Sequence, residues 1–546
     1  MLKRATADIF SEYIGPTNAK CVAAIDFGTS GTGFAYAFPG TDGITEARSS
    51  VFTNGQWSDG KEGKTKTALL LDENNKFIAF GKSAQTKYRA MAMRSQAGGL
   101  KIKERYFQYF KMNLYETSIS GKMLIPAANG VKVTAKTVFS ASLKFIKEVL
   151  LAQINKSTQG IIESEIKWIL TVPAIWSDAA KQVMRDAAEL AGLHGAALQL
   201  ALEPEAASLW VLQSNDLGME PGSVYMVCDC GGGTIDVTVH EVEYSQRKVK
   251  EAIPANGGNW GSTAIDRRVL QLLEEIFGKQ RYNNMTKDPF GYARIAEDID
   301  AAKITFDADT DIVLVLPDSL TSGLDNDGLP TVEAVKRYSK AQDVELHLVG
   351  QNLSIPADYF YKTCMEPTIN DTMNHVKGVI HKHKDISKVV LVGNFANCRS
   401  LQNRFTQDFK EIKIIVPDMP GEAIMKGAVL FGADPGLVTQ RKARFTYGSS
   451  IGVEFNPAVH PEEKIFYASD GSKHCRDVFD PFVTMNEIVE VGEEIVREYM
   501  AVEDNQSNVN IAIYKVNRHE VKFVTDNHVR KAGSFDLECD GKYDRY

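Results

Sequence analysis

The sequence has few cysteines and no long apolar run. Its seven cysteines are odd in number and scattered, with no CxxC pair and no zinc-site spacing, which argues against a disulfide framework or a zinc module. No apolar stretch approaches the length of a membrane span. The first twenty residues contain acidic side chains and lack the apolar core of a secretory signal. The sequence therefore predicts a cytoplasmic protein without a transmembrane segment.

A stripe of basic residues interleaved with aromatics is also missing. The 546 residues include 62 Lys and Arg against 70 Asp and Glu, a net charge of −8, so nucleic acid is a poor candidate partner. The only basic cluster, 441–444, is interpreted as a solvated linker. With 44% hydrophobic and 24% charged residues the chain is globular, and its length favours about three or four folding units, arranged as two lobes and a tail domain.

The sequence lacks the serine–histidine–aspartate order of a triad hydrolase and the HExxH motif of a metalloprotease. It contains instead two similar glycine-rich segments, 25–33 and 229–236. Each follows an apolar run, presents an aspartate (Asp26 or Asp229), then glycines with a hydroxyl residue, and returns to apolar residues. This pattern indicates strand, loop and strand, twice.

Glycines allow backbone N–H groups to approach an anion, and an acid beside them can hold Mg²⁺ through water. Neither loop has the lysine and hydroxyl residue of a P-loop, and the second continues as a strand, whereas a Rossmann loop opens a helix. Ordinary hairpin turns are the alternative interpretation. Matching acids in both segments favour a pair of phosphate loops.

Strand and helix patterns alternate through the chain up to about residue 435. Predicted strands are 77–81, 168–173, 224–228 and 389–393, and predicted helices are 138–154, 177–192, 262–277 and 421–432. This alternation indicates an α/β core with ligand loops at the strand ends. Beyond residue 445, strands such as 509–514 and 521–524 indicate a β-sandwich of about a hundred residues.

With both loops placed in an α/β core, the chain resembles the actin-like ATPase superfamily and, within it, the 70 kDa heat-shock protein family. Segments 171–174, 191–193 and 202–208 are similar to the family's connecting segment with its catalytic glutamate, and 391–395 to its adenosine loop. Within the family, the heat-shock 70 kDa protein 12 branch is the most similar. The segments that carry this likeness are 106–112, 257–263, 425–432, 437–448 and 477–480.

The resemblance implies a two-lobed actin-like ATPase of ribonuclease H-like repeats, followed by a C-terminal β-sandwich domain without a helical lid. The implied domains are a tail at 1–19, a nucleotide-binding ATPase domain at 20–435, a linker at 436–444 and a β substrate-binding-like domain at 445–546. Within the ATPase domain, lobe I takes about 20–245 and 420–435, and lobe II about 246–419.

The resemblance also implies a site for ATP or ADP with Mg²⁺. Asp26 and Asp229 would hold Mg²⁺ through its waters and, with Glu203 and Asp236, form the catalytic acid set. The nucleotide-binding residues would be Gly28, Thr29, Ser30, Gly31, Gly231, Gly232, Gly233, Thr234, Gly261, Asp300, Lys303, Gly393 and Asn394. Simpler interpretations stay open. Glu203 could complement a helix dipole, Asp300 and Lys303 could form a surface ion pair, and Gly393 could serve a plain turn.

Three positions depart from the family pattern. Gln85 is interpreted as standing where the family has the lysine that positions the γ-phosphate, with Lys82 and Lys87 nearby but off the motif. Ile304 stands where an arginine usually stacks on the base. Asn394 replaces a second glycine of the adenosine loop. These departures weaken the expectation of ordinary hydrolysis and tight nucleotide binding.

The first functional hypothesis is an atypical chaperone-like ATPase that hydrolyses Mg-ATP slowly and couples nucleotide state to client binding by the β-domain. The second is a nucleotide-binding adaptor with negligible turnover, and a remote third is a metabolite kinase of the same superfamily. The implied partners are an unfolded or specific client, co-chaperones and nucleotide-exchange factors. Tetratricopeptide partners are not expected, because the acidic EEVD tail that recruits them is absent.

Overall fold

The computed structural model describes residues 19–38, 51–55, 57, 63–98, 101–115, 122–158, 160–193, 198–213, 218–244, 248–323, 328–468, 471–491, 493–497 and 508–538. These residues fall into two compact units. The larger contains the described residues of 19–248 and 255–437, and the smaller contains 249–254 with the described residues from 438 onward. Among the described residues, no helix combines the length and apolar character that a membrane span needs.

The first half of the larger unit alternates strands and helices, as its sequence pattern predicts. In chain order its elements are β1 (Cys21–Phe27), β2 (Gly31–Ala37), β3 (Phe52–Thr53), β4 (Lys64–Lys66), β5 (Ala68–Leu71), β6 (Phe77–Phe80), α1 (Gly81–Gly98), β7 (Arg105–Gln108), β8 (Leu124–Pro126), β9 (Lys132–Thr134), α2 (Ala135–Ser157), β10 (Ile166–Val172), α3 (Asp178–Leu190), β11 (Leu198–Leu202) and α4 (Glu203–Leu212). The predicted N-cap, Ser177, accepts a hydrogen bond from the backbone N–H of Ala180.

The second half continues the alternation. Its elements are β12 (Val224–Cys230), β13 (Ile235–Val242), β14 (Val249–Gly258), α5 (Thr263–Phe277), α6 (Lys279–Thr286), α7 (Pro289–Thr305), β15 (Ile312–Val315), α8 (Asp318–Thr321), α9 (Thr331–Gln342), β16 (His347–Val349), β17 (Asn352–Ile355), α10 (Ala357–Phe360), α11 (Glu366–Lys382), β18 (Ile386–Val392), α12 (Arg399–Asp408), β19 (Lys413–Ile415) and α13 (Ala423–Ala433). The first residues of β14 belong to the smaller unit.

Two sheets of the larger unit repeat one topology. In the first, β1 pairs antiparallel with β2 and parallel with β10, and β10 pairs parallel with β11. In the second, β12 pairs antiparallel with β13 and parallel with β18, and β18 pairs parallel with β19. All seven residues of β1, β10 and β12 are buried, which explains why these segments read as continuous apolar runs. In each sheet the antiparallel pair carries one of the glycine-rich loops.

The smaller unit is built mainly from antiparallel strands. They are β20 (Val438–Lys442), β21 (Thr446–Glu454), β22 (Ile465–Tyr467), β23 (Lys473–Val483), β24 (Ile488–Glu490), β25 (Asn508–Val516) and β26 (Arg530–Glu538). One sheet has the order β22, β23, β21, β25, β26. Its apolar side chains include Tyr447, Phe482 and Ile511. The second layer of the predicted β-sandwich stays a prediction.

Two sequence predictions change in the smaller unit. The predicted strand at 521–524 is wrong, because these residues make only an isolated bridge between Phe523 and Val478, and Asp526 accepts hydrogen bonds from two of their N–H groups. The basic segment interpreted as solvated is partly buried, because residues 438–442 form β20. That strand pairs with β24 and with residues 249–250 of β14, and Lys442 Nζ donates to the carbonyl of Ala252 at 2.7 Å.

Candidate functional site

The first glycine-rich loop joins β1 to β2 and is tied down by one threonine. The side chain of Thr67 donates to the carbonyl of Gly28 at 2.7 Å, and its N–H donates to the carbonyl of Ser30 at 3.0 Å. A Cβ atom at Gly28 would overlap the carbonyl oxygen of Gly31, so only glycine fits this turn. The loop that follows Asp26 therefore has a fixed backbone.

The second loop joins β12 to β13 and is fixed by the start of α5. The N–H groups of Gly261, Ser262 and Thr263 donate to the carbonyls of Gly233, Gly231 and Gly232 at 3.2, 3.1 and 2.8 Å. The two loops face each other. A Cβ at Gly233 would lie 2.6 Å from Thr29 Oγ1, and one at Gly232 would overlap Ser30 Oγ. The structure thus brings the predicted phosphate-binding residues of both segments, including Thr234 at the start of β13, to one place.

Four carboxylates lie buried beside these loops: Asp26, Glu203, Asp229 and Asp236. Asp26 accepts from Thr171 Oγ1 at 3.1 Å, and Asp236 accepts from the N–H of Ile175 at 3.2 Å. Among the described residues, Asp229 Oδ1 and Asp236 Oδ2 have no hydrogen-bond partner. A buried polar atom without a partner costs free energy, so these two oxygens are where a bound ligand or its water would be stabilised.

Burial shifts the protonation of this acid set. It raises the pKa of Glu203 to about 7, against the opposing charge of Lys111. It also raises the pKa of Asp229 well above its usual range, with Glu203 as the next cause, and it raises the pKa of Asp236. The charged forms are disfavoured because each carboxylate is desolvated and several lie close together. Glu203, with its pKa of about 7, is therefore placed to exchange a proton near neutral pH, as general-base chemistry requires.

A lysine that the sequence analysis did not single out lies at the centre of the set. Lys111 Nζ lies 2.6 Å from Glu203 Oε1, and both side chains are buried. Lys111 follows Phe110 in a short 3₁₀ turn, Phe110–Tyr115, and its ammonium lies 5.3 Å from the ring centroid of Trp176. Glu203 begins α4, as predicted, but its carboxylate forms an ion pair in addition to any dipole role.

The sequence analysis placed Gln85 where the family has the lysine that positions the γ-phosphate, and this assignment is wrong. Gln85 lies in α1 and is 1% exposed, and its side-chain amide has no hydrogen-bond partner among the described residues. Lys82 pairs with Glu297, and Lys87 is exposed. Lys111 is instead the cation that pairs with Glu203, the predicted catalytic glutamate. A sequence signal did exist, because a lysine within the aromatic run 106–112 is out of place unless it is buried and paired.

Asp26 also has a cation of its own. Lys64 Nζ lies 2.6 Å from Asp26 Oδ2, with the Lys64 side chain 14% and the Asp26 side chain 2% exposed. In the part of the chain that the structure describes, no group of three or more His, Cys, Asp or Glu residues could hold a metal directly. Asp229 can accept from a metal-bound water, but Asp26 is already engaged. A metal-bound water at Asp26 would share Oδ2 with the Lys64 ammonium, and the Mg²⁺ pair of Asp26 and Asp229 stays a prediction.

The residues predicted to bind the nucleoside form two groups, Gly393 with Asn394 near the loops, and Asp300 with Lys303 on α7. Gly393 has φ +82°, and a Cβ there would lie 2.5 Å from Asp229 Oδ1, so this glycine adjoins the acid set. Asn394 lies against Gly31 and Gly421. Asp300 and Lys303 pair at 2.8 Å, but Lys303 is buried and also pairs with Asp266, so the pair is not a simple surface contact. Ile304, in contrast, is 51% exposed.

Comparisons with known proteins identify the family of this chain. The family model described as Hsp70 protein matches residues 112–434. Heat shock 70 kDa protein 12B of Homo sapiens is 30% identical over 95% of this chain and 84% of its own length. This chain belongs to the Hsp70 family.

Two further Hsp70 relatives are also similar to this chain. Heat shock 70 kDa protein 12A of Homo sapiens is also 30% identical, over 95% of this chain and 85% of its own. Chaperone protein DnaK of Stenotrophomonas maltophilia (strain R551-3) is 26% identical, over 69% of this chain and 53% of its own. The resemblance to the 12 branch is confirmed, and the α/β unit contains an Hsp70-type, actin-like ATPase domain.

Proposed function

We propose that this Hsp70-family chain is an atypical ATPase that binds ATP between its two glycine-rich loops and hydrolyses it slowly. Nucleotide state would alter how the β-strand unit engages an unfolded or specific client, with co-chaperones or exchange factors as further partners. The observation that carries the proposal is the buried Lys111–Glu203 ion pair among three aspartates beside facing loops. Coupling to a client rests on family membership alone.

The roles of the site residues follow from their contacts. The loop backbones at 28–31 and 231–234 would bind the phosphates, as fixed N–H groups do at such turns. Glu203, with its pKa near 7, would accept the proton of the attacking water, and Asp236 would orient that water. Lys111 would offset the charge that develops on the transferred phosphoryl group. ATP and ADP stay the proposed nucleotides, and Asp26 and Asp229 stay the proposed contacts to Mg²⁺ through its waters, with Lys64 beside Asp26.

The second candidate is a nucleotide-binding adaptor with negligible turnover. The Lys64–Asp26 ion pair favours it, since a residue that the resemblance assigns to Mg²⁺ is already neutralised. The two candidates differ in a measurable quantity, because both bind ATP but only the first hydrolyses it. A turnover close to the detection limit, with intact affinity, would select the adaptor.

Single-turnover hydrolysis of ATP by wild type and Glu203→Gln tests the proposal, with affinity measured by calorimetry on the same samples. We expect the variant to lose about tenfold or more in rate, because the amide keeps the volume but cannot accept a proton. Affinity should change little. Lys82→Met is the matched control, since Lys82 pairs with a carboxylate outside the acid set. Equal rates in wild type and Glu203→Gln would remove Glu203 from the mechanism.

The pH dependence of turnover gives a separate prediction. Only ionised Glu203 is a base, and a pKa of about 7 leaves roughly a tenth of it ionised one unit below and nine tenths one unit above. Single-turnover rates should therefore rise about tenfold between about pH 6 and about pH 8. The rise should be much reduced in Glu203→Gln. A wild-type rate that falls across this range would contradict the assignment.

A further inference from the structure

Lys64 is a buried cation in the site that the roles assigned above do not use. Its ammonium contacts Asp26, a carboxylate that the family resemblance assigns to Mg²⁺. We propose that Lys64 is a built-in cation that takes the place of the divalent metal at Asp26, so that this chain binds ATP without requiring Mg²⁺. The inference rests on the proposed nucleotide binding and specifies its cation requirement.

The sheet places Lys64 for this contact. Asp26 on β1 pairs with Gly33 on β2, and Gly33 pairs in turn with Lys64 on β4, so the three residues form one row across three strands. Residues paired in register project to the same face, and the outer strands of such a row lie roughly 9–10 Å apart. A lysine side chain and an aspartate side chain together span that distance.

Gly33 makes the path across the row possible. A Cβ at Gly33 would lie 2.8 Å from Lys64 Cγ, closer than side-chain carbons approach each other. Any other residue at this position would therefore displace the lysine stem from its line to Asp26. The glycine is the last of the first glycine-rich segment, 25–33, and it lies beyond the turn at 28–30. Its lack of a side chain leaves room both for the Lys64 stem and for the backbone carbonyl of Gly63, which a Cβ would approach equally closely.

The surrounding charges keep Lys64 cationic. Lys64 Nζ lies 2.6 Å from Asp26 Oδ2, and this contact with a carboxylate stabilises the ammonium form. Those carboxylates of the set that are ionised would repel the phosphates of ATP unless cations offset them. Lys111 offsets Glu203, and Lys64 offsets Asp26. The charge balance that a divalent ion would otherwise supply at Asp26 is thus present in the chain itself.

A metal-bound water and the Lys64 ammonium would compete for the charge of Asp26. Asp26 Oδ1 accepts a hydrogen bond from Thr171, and Oδ2 faces Lys64 Nζ at 2.6 Å. A metal-bound water that donates to Oδ2 would have to share this oxygen's charge with the ammonium. Replacing Lys64 by an uncharged residue should therefore free Asp26 and make nucleotide binding depend on the metal.

The test measures the affinity of the full chain for ATP by calorimetry, once with excess EDTA and once with millimolar Mg²⁺. The affinities of the wild type for ATP in EDTA and in Mg²⁺ should lie within about threefold of each other. Lys64→Met should bind ATP at least about tenfold more weakly in EDTA, because the cation beside Asp26 is lost. Addition of Mg²⁺ should restore the affinity of this variant. Lys82→Met, which removes a paired lysine elsewhere, should behave as wild type.

Three results would overturn the inference. Wild type could lose ATP binding by about a hundredfold or more in EDTA, which needs no variant and holds even where Lys64→Met fails to fold. Lys64→Met could keep full affinity in EDTA, or it could lose affinity that Mg²⁺ does not restore, as expected of a purely structural ion pair. ATP binding that needs Mg²⁺ would leave the proposed function standing. The lack of any ATP binding in either condition would instead refute the proposed function itself.

Discussion

Replacing Lys111 with methionine is expected to slow single-turnover ATP hydrolysis by about a hundredfold. Methionine retains the length and apolar contacts of the stem, but it removes the charge that lies 2.6 Å from Glu203. Glu203 would then be buried without a cation, so its pKa would rise further above about 7 and less of the base would be ionised at neutral pH. The measurement is a quenched single-turnover assay at saturating ATP.

A shift of the pH profile separates this electrostatic role from a structural one. In Lys111→Met the rise of the rate with pH should move to higher pH than in wild type, while Lys82→Met should leave it in place. A merely destabilised site would lose rate at every pH without such a shift. A Lys111→Met rate equal to that of wild type would contradict the assignment of Lys111 as the cation at the catalytic glutamate.

Gly427→Ala is expected to destabilise the larger unit by about 3 kcal/mol. Gly427 lies in α13, where a Cβ would overlap the backbone carbonyl of Ala206 in α4. Backbone cannot rotate away as a side chain does, so the two helices must separate. Chemical denaturation, followed by a probe in the larger unit, measures the loss. Because Glu203 begins α4, we also expect a lower rate of hydrolysis in this variant.

Gly378→Ala is the matched control for this prediction. Gly378 also lies within a helix, α11, but a Cβ there would meet nothing within 4 Å. Alanine is the better helix former, so this change should stabilise the chain by up to about 1 kcal/mol. Equal effects of the two substitutions would mean that the contact between α4 and α13 is looser than the structure shows.

The local patterns of the sequence predict much of the larger unit. The apolar runs at 168–173 and 224–228 lie in strands buried on both faces, and Ser177 caps its helix. A buried strand and a helix cap each leave a signal within a short stretch of sequence, and so do the glycines of the two loops. They are therefore visible in the chain without knowledge of the fold.

The cations of the site could not be predicted in the same way. Lys111 and Glu203 are distant along the chain, and the 3₁₀ turn at 110–115 brings Lys111 to the glutamate. Lys64 and Asp26 are also separated along the chain, and the sheet brings them together. Lys64 reaches Asp26 through a register across three strands, which spacing does not reveal. The predicted strand at 521–524 is wrong for a different reason. The alternation of apolar and polar residues there lies in a turn, in which two N–H groups donate to Asp526.

The division of β14 affects how this protein can be dissected. Residues 249–254 belong to the same compact unit as the chain from 438 onward, and β20 pairs with them. A C-terminal fragment that begins near residue 438 would lack residues 249–254, which belong to the same compact unit. One edge of β20 would then present unpaired N–H and C=O groups, a known cause of aggregation. Recombinant production of the C-terminal unit would therefore require the 249–254 strand to be grafted back or supplied as a peptide.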